Sequence, residues 1–210
     1  MSEDYYASFT HLLNFTQAES FRQPESFTPE LTTYLEFLDK TIQTIISLPE
    51  KDVLTYDILD TEKSKTNKLI ALKVKQRQMK VGDIWQCALG NYPDFINLKQ
   101  GHETGLDILS TTKKIAIELK NRTNTDNASS RKANLDKLAK FKQEHPDYRC
   151  IYANINAKTD TQTLTGSINI MIHNDVEIEH QTGYEFLKFI LGEHTDIIIN
   201  FIKHTIDKYS

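Results

Sequence analysis

The chain of 210 residues predicts an α/β fold, a mixed β-sheet core flanked by α-helices with a helical region at the N-terminus. Three observations carry this. Helical periodicity dominates the first third of the chain, then gives way to a β-β-α-β order, then to two weaker strands and two closing helices. The central strands are short continuous apolar runs, as expected of strands covered on both faces. Hydrophobic residues make up 39 % and charged residues 26 % of the sequence, enough to build a core and far from a disordered composition. A single domain over 1–210 is expected, with a helical region at 1–62, the core at 63–156, and small strands with C-terminal helices at 157–210.

A short helix is expected over 8–20. Thr28-Pro29-Glu30 opens the next one, with Thr28 placed to cap and Pro29 at the first helical position, where its missing N–H costs nothing. Leu31, Tyr34, Leu35, Leu38, Ile42, Ile45 and Ile46 form its apolar face, and Pro49 ends it. A third helix is expected over 67–89. Lys73, Arg77 and Lys80 make a basic stripe on it, Ile84, Trp85, Ala88 and Leu89 anchor its far end, and Gly82 argues against its continuity. The runs at 105–109 and 115–119, separated by Ser110-Thr111-Thr112-Lys113-Lys114, read as a β-hairpin. A polar loop at 121–130 leads to a helix over 130–144 with Leu135, Leu138, Ala139 and Phe141 inward. Strands follow at 148–155, 167–173 and 176–179, and helices at 184–191 and 195–209.

Charge is segregated. Residues 63–80 hold seven basic residues and no acidic one, and 113–149 hold ten against five, inside a chain whose net charge is −4. Such blocks are either solvated helix faces or a local footprint for phosphates. Cys87 and Cys150 form no Cys-x-x-Cys, which excludes a disulfide framework or a cysteine zinc site and fits a reducing compartment. No apolar run is long enough to span a membrane. The acidic start Met1-Ser2-Glu3-Asp4 lacks a secretory pattern, so a cytoplasmic location is expected. Glycine-rich phosphate-binding motifs and paired zinc-binding histidines are both absent, which argues against nucleotide-driven or zinc hydrolase chemistry.

The chemistry concentrates at Asp107 and Glu118-Leu119-Lys120. Residues two apart on a strand share a face, so Glu118 and Lys120 point the same way. Folding the hairpin about 111–114 pairs Ser110 with Ile115 and sets Asp107 opposite Glu118, their Cβ atoms about 5 Å apart. A one-residue slip would put the acids on opposite faces. Two adjacent carboxylates repel, and a hard cation relieves them, since Mg²⁺ is commonly held by one or two carboxylates and phosphate oxygens. Lys120 beside them can orient a water. These parts suit metal-assisted phosphodiester hydrolysis. The plainer alternative is a cross-strand ion pair on a solvated sheet face.

An Asp on one strand followed by Glu-x-Lys on the next resembles the PD-(D/E)XK nuclease superfamily, with Leu106 where the pattern has proline. A closer resemblance covers residues 65–156. Lys75-Gln76-Arg77-Gln78-Met79-Lys80-Val81-Gly82-Asp83-Ile84-Trp85-Gln86 and the run from Glu118 to Asn134 are similar to a family of type II restriction endonucleases. The resemblance implies a restriction-endonuclease-like core and cutting of short palindromes that begin GG and end CC around a central base. It implies Mg²⁺ as cofactor, held by Asp107, Glu118 and the Leu119 carbonyl. Lys120 would position or deprotonate the attacking water, and Asp83 matches a place where such nucleases put an auxiliary acid. Products with 5′-phosphate ends, a prokaryotic host and a cognate DNA methyltransferase acting on the same site also follow from it. A palindromic target implies a homodimer with one active site per strand.

Asn121, Arg122, Asn124, Asp126, Asn127, Ser129, Ser130, Arg131 and Lys132 follow the metal strand directly and are rich in groups suited to DNA. Arginine reads guanine bidentately and asparagine reads adenine, while Lys132 and Lys137 suit phosphates. The alternative for part of this loop is a helix cap. His102 and Glu103, just ahead of the hairpin, either line the site or are ordinary loop residues. Two other functions compete with a restriction enzyme. One is a repair or recombination nuclease that reads DNA structure; the other is a DNA-binding module without catalysis.

Overall fold

The computed structural model describes residues 28–49, 54–99, 101–122, 127–156 and 166–210. The chain divides into two units, Met1–Glu36 and Phe37–Ser210, and the fold below is that of the second. Helix α1 (Pro29–Ser47) runs across the division. The helix expected over 8–20 lies outside the described residues.

Thr28 Oγ1 accepts a hydrogen bond from the Leu31 N–H at 3.2 Å and starts α1 as its sequence requires. Within the second unit, α1 buries Leu38 and Ile42 completely. Helix α2 (Glu62–Gly90) begins earlier than the hydrophobic pattern suggested, because Thr61 Oγ1 caps it by accepting from the Ser64 N–H at 3.2 Å. It continues straight through Gly82. Apart from Gln76, its buried residues lie at the far end, Ile84 and Ala88 to Gly90. The basic stripe is partly structural: Lys80 Nζ donates to the carbonyls of Ile46 at 2.6 Å and Leu48 at 2.9 Å. These are the open carbonyls at the end of α1, where a cation is favoured.

The sheet contains β1 (Ile96–Asn97), β2 (Ile108–Ser110) and β3 (Ile115–Arg122), then, after helix α3 (Ala128–Glu144), β4 (Arg149–Asn156), β5 (Ile168–His173) and β6 (Val176–Thr182). Its order is β1-β2-β3-β4-β6-β5. The β3–β4 and β4–β6 pairs are parallel and the others antiparallel. Strand β1, two residues long, is too short to leave any periodicity in the sequence. Asn174 and Asp175 take the two left-handed positions of the tight β5–β6 turn, at φ 49° and 61°, a conformation asparagine and aspartate tolerate. Helix α4 (Gly183–Leu191), a 3₁₀ turn (Gly192–His194) and helix α5 (Thr195–Tyr209) complete the chain.

The central strands are covered on both sides. Every residue from Ile115 to Leu119 and from Cys150 to Ile155 is buried. On one face, Ala116, Cys150, Tyr152 and Ile178 pack with Leu135, Leu138, Ala139 and Phe141 of α3. Helix α2 packs against β1, β2 and β3, and α4 packs against β4 and β6. No helix among the described residues is long and apolar enough to cross a membrane.

Two glycines on α2 differ in what they permit. A Cβ on Gly90 would stand 2.7 Å from Asn97 Cβ and 2.8 Å from Asn97 Cα, inside van der Waals contact with backbone. Gly90→Ala is expected to lower unfolding stability by about 1–3 kcal/mol. At Gly82 the nearest atom would be Asn121 Cβ at 3.8 Å, an ordinary contact. Gly82→Ala is expected to raise stability by up to about 1 kcal/mol through helix propensity. Urea unfolding of both variants checks the pair.

Candidate active site

The hairpin takes the register that sets the acids together. Ser110 lies opposite Ile115, Leu109 opposite Ala116 and Ile108 opposite Ile117. One step further, beyond the end of β2, the ladder shifts by one residue at Asp107, which stays close enough for its charge to act on Glu118. The ladder holds Asp107 from both sides, its N–H donating to the Ile117 carbonyl at 3.1 Å and its carbonyl accepting from the Leu98 N–H at 2.8 Å. Asp107 Oδ2 also accepts from the Leu119 N–H at 2.7 Å. Backbone and side chain are both tied down, so the carboxylate has one orientation available.

Glu118 is 2 % exposed. Its Oε1 accepts from Lys120 Nζ at 2.6 Å, and its Oε2 is buried with no hydrogen-bond partner. A buried carboxylate oxygen left unpaired costs free energy. Burial pushes the Glu118 carboxyl above its usual range and the charge of Asp107 adds to this, while Lys120 opposes it. Burial also raises Asp107, against the pull of the Leu119 N–H, Lys120 and Lys137. Asp107 and Lys120 line a cleft of about 500 Å³ together with Lys75, Gln78, Asp83 and Asn121. Glu118 does not line the cleft itself.

The donor set passes a test for a hard cation. The charge of Asp107 reaches Glu118, an acidic oxygen waits without a partner, and Leu119, next in the chain after Glu118, offers its carbonyl. Among the described residues no cluster of three or more His, Cys, Asp or Glu side chains exists, so any cation here would rest on two carboxylates, backbone and substrate oxygens.

The other expected residues fall into distinct places. Asp83 is exposed on α2 and lines the same cleft. Asn121 is a bracket between elements: its Nδ2 donates to the Gln78 carbonyl at 3.1 Å, and its Oδ1 accepts from Asn156 at 2.8 Å. Arg122 ends β3. Asn124 and Asp126 lie outside the described residues. Asn127 caps α3, its Oδ1 accepting from the Ser130 N–H at 2.8 Å and the Ser129 hydroxyl at 2.7 Å. The helix therefore starts at Ala128, ahead of the expected 130, and it is the asparagine, not a serine, that supplies the cap. The Arg131 guanidinium lies 5.8 Å from the Tyr152 ring centroid and contacts Met171 Sδ at 3.8 Å. Lys132 pairs with Asp136 at 2.8 Å. His102 turns to the Thr104 hydroxyl at 2.9 Å and does not line the cleft.

Sequence reading missed a polar row beside Lys120. Asn154 stands opposite Lys120 on β4, is 3 % exposed, and lies 2.9 Å from His180 Nε2 on β6. Burial and the charge of Arg131 hold His180 below its usual pKa, so the neutral ring accepts from the Asn154 amide. The available signal was an asparagine inside the apolar run Cys150-Ile151-Tyr152-Ala153-Asn154-Ile155. A polar side chain there must find a partner or serve a site.

A mixed sheet between helices, with two carboxylates and a lysine brought together at a cleft, is the frame of a nuclease with a restriction-endonuclease-like fold. The chain belongs to the Eco47II restriction endonuclease family, whose family model matches residues 33–208. It is a type II restriction enzyme, a site-specific deoxyribonuclease. No curated protein matches the chain.

The raised carboxyls give a pH signature. A carboxyl raised in the folded state adds stability while protonated in both states, and that contribution is lost as pH rises through the folded pKa. Glu118→Gln mimics the protonated form. In chelator it is expected to melt above the wild type at neutral pH, the gap closing as pH falls toward the ordinary glutamate value of 4.5. A gap that does not vary with pH would remove Glu118 as the source.

Proposed function

We propose that this restriction enzyme hydrolyses double-stranded DNA at a short GC-rich palindrome, depends on Mg²⁺, and leaves 5′-phosphate and 3′-hydroxyl ends. The observation that carries the reading is the buried Glu118 carboxylate, joined to Lys120 at 2.6 Å, with its second oxygen unpartnered beside Asp107. A stabilising ion pair would satisfy both oxygens. An unsatisfied one, buried behind cleft-lining Lys120 and Asp107, is a site prepared for something that arrives with the substrate.

Asp107, Glu118 and the Leu119 carbonyl would hold the cation. When bound it supplies Lewis-acid polarisation of the phosphate and lowers the pKa of water. The protein's own residues supply the rest. Asp107 is held rigid by the Leu119 N–H, so its free oxygen is presented without further ordering. Lys120, anchored on Glu118 and reaching the cleft, orients the attacking water in line with the P–O3′ bond and offsets charge on the phosphate oxygens. The water oxygen bonds to phosphorus and gives up a proton to solvent, the P–O3′ bond breaks, and the 3′-oxygen takes up a proton from solvent and leaves as a hydroxyl. Asp83, which lines the same cleft, is an auxiliary acid in this reading.

Arg131 is the strongest base-reading candidate. It is exposed at the start of α3 and backed by the Tyr152 ring, which presents its guanidinium without burying it. Arg122, Asn124, Asp126, Ser129, Ser130 and Lys132 are the further residues assigned to DNA contact in this reading. Asn121 and Asn127 reach DNA only indirectly, by fixing strand and helix. The enzyme acts as a homodimer on a two-fold site, alongside a methyltransferase of the same specificity that protects host DNA, in a prokaryotic cytoplasm.

Digestion of phage DNA with and without Mg²⁺ tests this. Discrete bands that require the metal are expected, while a smear would favour a structure-directed nuclease. Glu118→Ala and Lys120→Ala are expected to abolish cutting while retaining DNA binding in a gel shift; normal cutting by either would sink the site assignment. Arg131→Ala is expected to cost about 1–3 kcal/mol of specific binding and to relax discrimination. Asn127→Ala is expected to cost about 1 kcal/mol of stability through the lost cap, which thermal melting reads separately.

A further inference from the structure

Helix α3 turns two polar groups toward the approach to Asp107. Asn134 is 8 % exposed, and its Oδ1 accepts from Lys137 Nζ at 3.2 Å. The Lys137 stem lies across Gly105, its Cδ, Cε and Nζ at 3.3, 3.5 and 3.9 Å from where a Cβ would stand. Gly105 sits two residues before Asp107 at φ +64°, a left-handed conformation suited to glycine. The lysine is thus laid along the segment that delivers Asp107 to the site. Its charge acts on Asp107 and Glu118 alike.

Lys137 differs from its neighbours on the helix. Lys132 is paired with Asp136 and Lys140 with Glu144, each four residues on. Lys137 is held by a neutral amide oxygen instead. An ammonium has three donors, so one bond to Asn134 fixes its direction and leaves donors and full charge for an anion. The buried Asn134 and the close passage over Gly105 hold this lysine in one direction, which a freely solvated lysine lacks.

We propose that Lys137 contacts a non-bridging oxygen of the scissile phosphate and stabilises the charge that grows there during cleavage. This rests on the nuclease reading of Asp107, Glu118 and Lys120. It adds a catalytic cation from α3 to the one from β3.

The experiment uses the full chain and a DNA fragment carrying a site that the wild type cuts. Single-turnover cleavage at saturating enzyme with Mg²⁺ and gel-shift affinity without metal are measured for Lys137→Gln, Lys137→Arg, Lys140→Ala and Glu118→Gln. Glutamine keeps the stem and a polar head but loses the charge. It is expected to slow cleavage by about 10²-fold, with affinity changed less than threefold. Arginine is expected to restore at least a tenth of the rate, and Lys140→Ala to cut as the wild type does. Melting curves within a few degrees of wild type establish folding; should Lys137→Gln fail there, Lys137→Met carries the same comparison. A normal rate for the glutamine variant overturns the proposal. So does weakened affinity with an unchanged saturated rate, the mark of a general backbone contact. If Glu118→Gln also cuts normally, the site reading itself is wrong. If Glu118→Gln is inactive and Lys137→Gln is normal, only the role of Lys137 falls.

Discussion

The arrangement depends on the register of one hairpin. Side chains alternate across a sheet, so a slip of one residue between β2 and β3 would turn Asp107 and Glu118 to opposite faces. The register is held at several points: three paired positions, the Asp107 backbone bonded on both sides, and the Asp107 carboxylate on the Leu119 N–H. Ile108, Ile117 and Ala116 are wholly buried around these bonds, so the ladder that positions Asp107 is sealed from water on both faces of the sheet.

The protein carries a destabilising element in its centre. Glu118 is an almost fully buried carboxylate with one oxygen unpartnered, set beside a second raised carboxyl. Lys120 compensates part of this, but replacing such a pair with apolar residues is often neutral or stabilising in other proteins. Here the unsatisfied oxygen sits midway along β3, and Ala116, two residues before Glu118, packs with Cys150 and Ile178 against α3. Rigid scaffold and unsatisfied site are consecutive residues of the same strand.

Helix α3 serves both parts. Its apolar side, Leu135, Leu138, Ala139 and Phe141, closes the core. Its first turn carries the Asn127 cap and Arg131, and its middle carries Asn134 and Lys137. The link from β3 to α3 is a crossover between parallel strands, so the helix starts near the strand end that bears Glu118 and Lys120. Residues distant from Asp107 in sequence are brought to it by that topology alone.

Much was legible in the order of residues because it depends on local rules. The capped start of α1 at Thr28-Pro29, the apolar strands, the 195–209 helix and the pairing of Ser110 with Ile115 follow from period, capping and turn length. Other features were not legible, because they are decided by partners far along the chain. Gly82 does not interrupt α2, since the helix is held at its far end by packing of Ile84, Ala88 and Leu89. Asn121 and Asn127 look like base readers in an isolated polar run, yet one is claimed by Gln78 and Asn156 and the other by the start of α3. Lys80 looks like a phosphate contact and is bonded to carbonyls of α1. The sequence by itself determined which chemistry the chain carries, because two acids and a lysine two and eleven residues apart need only one hairpin to meet. Tertiary structure decided which polar residues also hold elements together, because the partners of Asn121, Asn127 and Lys80 come from other segments of the chain or from the helix start that the fold sets in place.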